Sequence, residues 1–302
     1  MSIKITDTLA GDRTGTSKME AWWRGKGFTS IYKEFRKGTV PAVFLKQIRD
    51  VRNVQHLFKL RGFQFGNWVN NEDRFNYLAA LGICLFDLNK VLKFKGNNLG
   101  LDKHLGVAFG ARGQRGAVAH YEPMTHIINM TRYYDADKFI KPPSKAIRFV
   151  HSGGVGSFAH EYGHFLDFFF GGKIDVHNRY YSLTGGSSTE FTRMDYDKKK
   201  NPIRYAVEDL LEVAYWDASK KKPSTFLKRI LDYSNKPYYV ERTEVFARLF
   251  EQYIAYKLKQ IGIANSFLTD TKYTRAVYMT PAELKKVVPL FDKLLVLMRA
   301  YF

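Results

Sequence analysis

The chain has 302 residues, 45% of them hydrophobic and 16% aromatic, with a formal net charge of +19. This composition excludes an intrinsically disordered protein and supplies a sizeable core, for one large domain or one domain with a smaller companion. The single cysteine, Cys84, excludes an internal disulfide and fits a reducing compartment, the opening MSIKITDTLAGDRTG lacks a secretory apolar core, and no run approaches the ~18 apolar residues of a membrane span.

Residues 1–15 read as loose and polar, and residues 17–37 as mixed, basic and partly helical. Pro41 suits a first turn and opens a predicted helix through AVFLKQIRDVRNVQHLFKL. RGFQFGNWV reads as an extended aromatic connector. Asn70 or Asn71 then caps a strong predicted helix, EDRFNYLAALGICLFDLNKVLKF, with acids in its first turn. From about Gly100 the pattern changes to LGVAFG, AVAHYEP and HIINMTR, predicted short strands divided by glycine-rich turns. HSGGVG leads into the apolar helix SFAHEYGHFLDFFF. After Gly171-Gly172 and a polar loop come three more helical stretches, PIRYAVEDLLEVAYWDA, PSTFLKRILDYS and ERTEVFARLFEQYIAYKL. A last helix from about Pro281, AELKKVVPLFDKLLVLMRAYF, carries Pro289 as an expected kink. The predicted class is α+β, mostly helical, with a small sheet mid-sequence.

The chemistry concentrates in one polar island. His160-Glu161-Tyr162-Gly163-His164 is an H-E-x-x-H motif inside a run that otherwise reads as core through Phe158, Phe165, Leu166, Phe168 and Phe169. Residues four apart share a helix face, so two imidazoles there converge on one Zn²⁺, and Glu161 flanks the metal as base for a water. Asp167 falls three residues after His164 on the same face. It reads either as a carboxylate that accepts a ligand ring N–H and orients it, or as a local surface acid.

A catalytic zinc needs a third protein ligand. Glu244, Ala247, Arg248 and Glu251 form a stripe at i, i+3, i+4 and i+7, opposite Val245, Phe246, Leu249, Phe250 and Ile254. Ala247 is small enough for a close helix crossing, so Glu244 is the candidate ligand and Glu251 a supporting acid; the competing reading is two solvated or ion-paired acids. Tyr238 and Tyr239 lie just upstream, as oxyanion-stabilising hydroxyls or as two buried aromatics. His120, Tyr121 and His126 sit in the predicted strand pair as candidates to line a cleft. The basic residues are scattered, with runs at Lys198-Lys199-Lys200 and Lys220-Lys221-Lys222, and carry no zinc-finger, RNA-recognition or basic-zipper pattern. They predict weak, salt-sensitive attraction to nucleic acid.

KLRGFQFGNWVNNEDR, LGVAFGARGQRGAVAHYEP, INMTR, GSFAHEYGHFLD and TEVFARLFEQY, in that order, resemble the large polyvalent protein-associated domain 1, a zincin-like family of phage and conjugative-element proteins. HEYGHFLD with TEVFARLFEQY also resembles the metal and glutamate helices of anthrax lethal factor-like gluzincins. The resemblance spans roughly residues 58–258. It implies a zincin-like metallopeptidase fold with a small mixed sheet beside the metal-binding helix, His160, His164 and Glu244 as zinc ligands, and Glu161 as base. It also implies that the upstream strand block, with His120 and Tyr121, is the edge along which an extended peptide pairs. The corresponding organisation is a basic, largely helical extension at 1–57, the metallopeptidase domain at 58–258, and a packed C-terminal helical segment at 259–302. The expected function is a zinc metallopeptidase of a phage or mobile element. It acts in the bacterial host cytoplasm or is carried in the virion, with peptide substrates, virion components as further partners and no membrane association. The competing expectation is a catalytically silent zincin-fold protein that contacts DNA or phage proteins. A metal-dependent nuclease is disfavoured, because the clustered carboxylates that hold Mg²⁺ are missing.

Overall fold

The computed structural model describes residues 35–48, 51–66, 71–112, 119–130, 156–174, 181–269 and 273–302, with 71–76 as backbone only. In chain order the elements are β1 (Arg36–Lys37), α1 (Ala42–Gln47), α2 (Val51–Leu57), β2 (Gly62–Phe65), α3 (Asn71–Leu92), β3 (Gly106–Phe109), β4 (Ala119–Glu122) and β5 (Ile127–Met130). There follow α4 (Phe158–Ile174), α5 (Pro202–Tyr215), α6 (Thr225–Tyr233), α7 (Arg242–Gln260), β6 (Ala264–Asn265) and α8 (Pro281–Arg299). Short 3₁₀ turns lie at Lys95–Asn97 and Pro237–Val240. The class is α+β, mainly helical, as the periodicity predicts.

The main sheet is mixed, in the order β2-β3-β5-β4. β2 and β5 run parallel to β3, while β4 returns antiparallel to β5. The two inner strands, GVAF and IINM, are buried at every position, as expected of strands covered on both faces. Their one polar side chain, Asn129, is satisfied: its amide donates to the Arg112 carbonyl (2.8 Å) and its carbonyl accepts the Arg112 N–H (3.3 Å). Among the described residues β4 forms the outer edge, and its residues are mostly half-buried.

Four local expectations are corrected. The aromatic connector is a strand: Gly62 to Phe65 pair in register with Gly106 to Phe109. A parallel partner 44 positions away leaves no local signal. The helix expected from Pro41 is two, because α1 ends at an Ile48 cap outside helical geometry (φ −84°, ψ 13°) and α2 begins at Val51. The turn between β4 and β5 has no glycine; Pro123 to His126 make it, with His126 taking the positive φ of 48°. His126 therefore stands in the turn and not on a strand. The terminal helix runs from Pro281 to Arg299 with Pro289 inside it. Asn71 is the first residue of α3. The readings on 1–34, on the Asn70 cap, on the start of AVAHYEP and on HSGGV lie outside the described residues.

By internal contacts the chain divides into two compact units, Met1–Glu161 with Lys257–Thr271, and Tyr162–Tyr256 with Lys272–Phe302. In the first unit the sheet and the apolar body of α3 form the core, with Tyr77 to Leu85 buried throughout. A side chain on Gly82 would place its Cβ 3.0 Å from Ile48, so α3 lies close against that residue. Gly100 donates to the Phe58 carbonyl (2.8 Å), and a Cβ there would stand 1.9 Å from the Lys59 carbonyl oxygen, which excludes every other residue. The buried Arg36 guanidinium clasps Asp87 through Nε and Nη2, both at 2.7 Å, and donates Nη1 to the Gly38 carbonyl. Asn265 donates to the same carboxylate (3.0 Å) and accepts the Phe267 and Leu268 amides. The carbonyls of those two residues in turn receive the amides of Gly156 and Ala159, at the start of α4.

In the second unit α5 packs along α8, and α7 is buried on every face from Arg242 to Ile254. Thr280 and Glu283 form a capping box at the start of α8. Arg229 on α6 grips the same Glu283 with two bonds of 2.7 Å. Burial pushes the Glu283 carboxyl up, but Arg229, Thr225 and the Thr280 cap outweigh it and hold the group at about 2. Gln252 of α7 exchanges two bonds with the Met279 backbone (2.8 and 3.0 Å), and Tyr253 donates to Asp292 (2.7 Å).

The clasp on Asp87 yields a prediction. Removing one partner of a fully buried pair strands the other charge, at a cost of about 3–5 kcal/mol. Asp87→Ala is expected to lower the unfolding free energy read from urea titration by that amount, whereas the double replacement Arg36→Met with Asp87→Leu recovers much of it. A single variant as stable as the parent would exclude the clasp.

Candidate metal centre

His160, Glu161 and His164 lie on α4, whose first turn is fixed by the amide bonds to 267–268 described above. The apolar faces of the helix are buried as the sequence predicts, through Phe158, Phe165, Leu166 and Phe169, with Phe168 half-buried. His160 is half-buried, and Glu161 and His164 are buried. Glu244 lies in the first turn of α7. One ligand atom from each of His160, His164 and Glu244 falls within 4.8 Å of the others. Among the described residues this is the one group of three or more His, Cys, Asp or Glu arranged to hold a metal ion.

The convergence has a local cause. Gly163 and Ala247 face each other where the two helices cross, and a Cβ on Gly163 would lie 3.1 Å from the Ala247 Cα. Tyr162 and Phe250 flank the crossing with ring centroids 6.3 Å apart. Backbones this close bring the residue after Gly163 and the residue one turn before Ala247 together: His164 Nε2 stands 3.3 Å from Glu244 Oε1. The other oxygen, Oε2, lies 3.8 Å from Arg248 Nη1. Arg248 also donates to the Tyr239 carbonyl. The polar stripe of α7 is not a solvated face, because Glu244, Ala247, Arg248 and Glu251 are all buried.

Around this group the remaining candidates divide. Asp167 is fully buried and excluded as a surface acid. Its carboxylate accepts the Thr184 amide (2.9 Å) and hydroxyl (2.7 Å). Burial raises its pKa against the pull of those bonds. Thr243, not Asp167, stands at the ligand ring, with its Oγ1 3.0 Å from His164 Nδ1. Glu251 receives the Tyr278 hydroxyl (3.1 Å) and is not one of the three converging residues. Tyr238 is exposed at the 3₁₀ turn, edge-on to the half-buried Tyr239. On β4, His120 Nε2 lies 3.5 Å from Glu122 Oε1, and the Tyr121 hydroxyl bonds His126 Nδ1. Burial, with the nearby His104 and Arg61, lowers His126 to about 4. Arg112, His120, Tyr121, Glu122 and Thr125 line a shallow depression at this end of β4.

Spacing does not reveal what holds the start of α7. Arg242 is fully buried and donates to Glu208, to the Thr184 carbonyl (2.5 Å) and to the carbonyls of Glu190 and Thr192 (3.2 and 3.3 Å). Its own amide and that of Thr243 reach the Ser188 and Gly186 carbonyls. The long segment 181–201 is thus tied to the helix that carries Glu244. The only local sign was an arginine and a threonine directly before that glutamate.

Residues 231–301 match the family model described as Large polyvalent protein-associated domain 1. The match takes in TEVFARLFEQY and the terminal helix and leaves the other four resembling blocks outside it, so its extent differs from the 58–258 expected. No curated protein and no solved structure matches the chain.

The crossing can be tested through Gly163. Gly163→Val adds branched carbons where 3.1 Å is available, and overpacking of this kind costs about 1–3 kcal/mol. We expect a lowered unfolding midpoint and at least tenfold weaker zinc binding with every ligand still present, as read by chelator competition. Unchanged affinity would separate the crossing from the metal group.

Proposed function

We propose that the chain is a zinc-dependent metallopeptidase of gluzincin type. The observation that carries the reading is the convergence of His160, His164 and Glu244, with Glu161 next to the first histidine on the same helix. Two imidazole nitrogens and one carboxylate oxygen form a donor set suited to zinc. Of the three, His160 is half-buried, while His164 and Glu244 are buried. Bound zinc supplies Lewis acidity toward a carbonyl and lowers the pKa of its water.

The protein's own groups supply the rest. Glu161 takes a proton from the attacking water and delivers it to the departing amine. Arg248, beside Glu244 Oε2, leaves Oε1 as the oxygen directed at the histidine. Tyr238 or Tyr239 supplies the hydroxyl at the developing oxyanion. A peptide adds along β4, the antiparallel edge of the described sheet, past His120 and Tyr121. The zincin-like fold belongs to this proposal; the mixed sheet with an antiparallel edge strand and the H-E-x-x-H helix support it. The match to a polyvalent-protein domain supports a phage or mobile-element setting, with action in the host cytoplasm or carriage in the virion.

A second reading has one observation in its favour. The charge of +19 and the exposed runs Lys198–Lys200 and Lys220–Lys222 suit a silent zincin-fold protein that contacts DNA or phage components.

Protein purified without chelator and offered zinc is expected to hold about one ion per chain, lost on His160→Ala. Protein that stays metal-free sinks the assignment. Glu161→Gln is expected to keep the zinc and abolish cleavage across a peptide library; full activity in that variant excludes Glu161 as base. The two readings separate on salt. Weak DNA binding that vanishes as salt rises, alongside zinc-dependent cleavage, favours the peptidase. Tight binding at physiological salt, lost on replacing Lys198, Lys199 and Lys200, with no cleavage of any peptide, favours the silent protein.

A further inference from the structure

We infer that the turn end of β4 holds a carboxylate of a bound peptide, through Arg61 and Arg112, and so makes the chain selective for acidic peptides. The peptide rests on the pairing along β4 proposed above; the carboxylate site rests on the sheet itself. Successive residues of a strand point to opposite faces. The register therefore places Gln64, Ala108, Asn129 and His120 in one row on one face, with Glu122 on the same face one step along β4. Arg112 lies across that face. Its Nε donates to Gln64 Oε1 (3.0 Å), its backbone exchanges two bonds with Asn129, and its Nη1 donates to Glu122 Oε2. The Thr125 hydroxyl donates to the same oxygen (2.9 Å). Arg61, exposed directly before β2, donates Nη2 to the Thr125 carbonyl.

Two guanidiniums thus meet at one turn that holds one carboxylate, and that carboxylate is engaged. Glu122 Oε2 already has two donors, and Oε1 faces His120 Nε2 at 3.5 Å. Among the described residues Arg61 has no acid within ion-pair distance, and Arg112 Nη2 makes no hydrogen bond. His120 Nδ1 is buried without a partner. Arg112, His120, Glu122 and Thr125 border the depression at this end of β4, whose volume is about 510 Å³. The surplus is one positive charge with N–H donors to spare, which a planar monoanion answers. A metal cation would find the carboxylate taken, and a phosphate dianion carries one charge too many. An added strand shares the faces of the strand it pairs with. In a peptide on β4, side chains opposite His120 and Glu122 therefore come to the Arg112 face. A Glu or Asp there, or the peptide's own C-terminal carboxylate, supplies the missing charge.

The experiment uses the full chain with Glu161→Gln, treated with chelator, so that neither metal nor cleavage enters the readout. Fluorescence anisotropy follows labelled peptides of a positional library, with Glu or Gln at each position in turn and the C-terminus free or amidated. We expect Glu at one position, or the free C-terminus, to tighten binding about tenfold, and the two arms tell a side chain from a chain end. Arg61→Gln is expected to cut that preference to about threefold or less, with an unchanged circular dichroism spectrum. Arg112→Gln is expected to act alike; if it fails to fold, the exposed Arg61 still decides. The net charge of +19 sets the control, because such a chain attracts any acidic peptide. Replacing Lys198, Lys199 and Lys200 by Gln removes three charges where Arg61→Gln removes one, and the preference is expected to persist. A preference that falls further in the lysine variant than in Arg61→Gln overturns the inference. So does a preference untouched by Arg61→Gln, and so do peptides that bind without any preference or not at all. If the wild type takes up no zinc and cleaves nothing, the metallopeptidase reading falls, while these affinities alone still decide the carboxylate site.

Discussion

The close crossing of α4 and α7 at Gly163 and Ala247 is the constraint on which the site depends. Two helices with ordinary side chains at their contact sit 8–10 Å apart axis to axis, and small residues let backbones approach further. A glycine inside a helix costs about 0.5–1 kcal/mol relative to alanine. Here the cost is offset by the burial of Tyr162, Phe165 and Phe250 around the contact. The position between Glu161 and His164 is therefore not a neutral spacer. It decides whether the histidine after it can face a glutamate from another part of the chain.

Each of these helices is also fixed where its proposed ligands begin, and in both cases by a buried arginine. Arg36, Asp87 and Asn265 lead through the 267–268 backbone to the first turn of α4. Arg242 and Glu208 hold the start of α7 together with the carbonyls of the 184–192 segment. A buried ion pair contributes little net stability over an apolar pair of the same volume, because desolvation offsets its attraction. What it does specify is direction: a guanidinium with five N–H donors fixes several backbone carbonyls and one carboxylate in a single geometry. The Arg242 clamp lies within one turn of Glu244, whereas the Arg36 clamp reaches α4 through Asn265 and the 267–268 backbone.

These features were unequally legible in the sequence. The helix carrying His160 and His164 follows from a four-residue spacing in an apolar run. The suggestion of a close approach follows from Ala247 amid large residues. Such signals are local, and helix periodicity converts them directly into faces. The parallel pairing of β2 with β3 was not legible, because its hydrogen bonds join segments whose sequences carry no trace of each other. The contact of Thr243 with His164 was hidden for a related reason. Spacing offered Asp167 as the partner of the ring, but could not show that the group at Nδ1 is a hydroxyl from another helix. The stripe offered two readings, a supporting acid at Glu251 or a solvated face, since charged residues on a helix ordinarily face water. They do not when another segment covers them, as Tyr278 does at Glu251.

The division of labour between the two basic side chains bears on the competing readings. Among the described residues Arg36, Arg204, Arg242 and Arg248 are at most 3% exposed and donate to carboxylates or backbone carbonyls inside the protein. The runs Lys198–Lys200 and Lys220–Lys222 lie at the surface instead, where Lys220 meets Glu212 and Lys198 lies over Tyr205. Sequence-reading of duplex DNA relies chiefly on planar, bidentate donors such as arginine, whereas lysine ammonium groups act as strongly hydrated point charges. Lysine runs of this kind attract a polyanion through counterion release, with an affinity that collapses as salt rises. The +19 charge is therefore compatible with the proposed peptidase, because the arginines beside the proposed site are already engaged inside the protein and the exposed runs lie elsewhere.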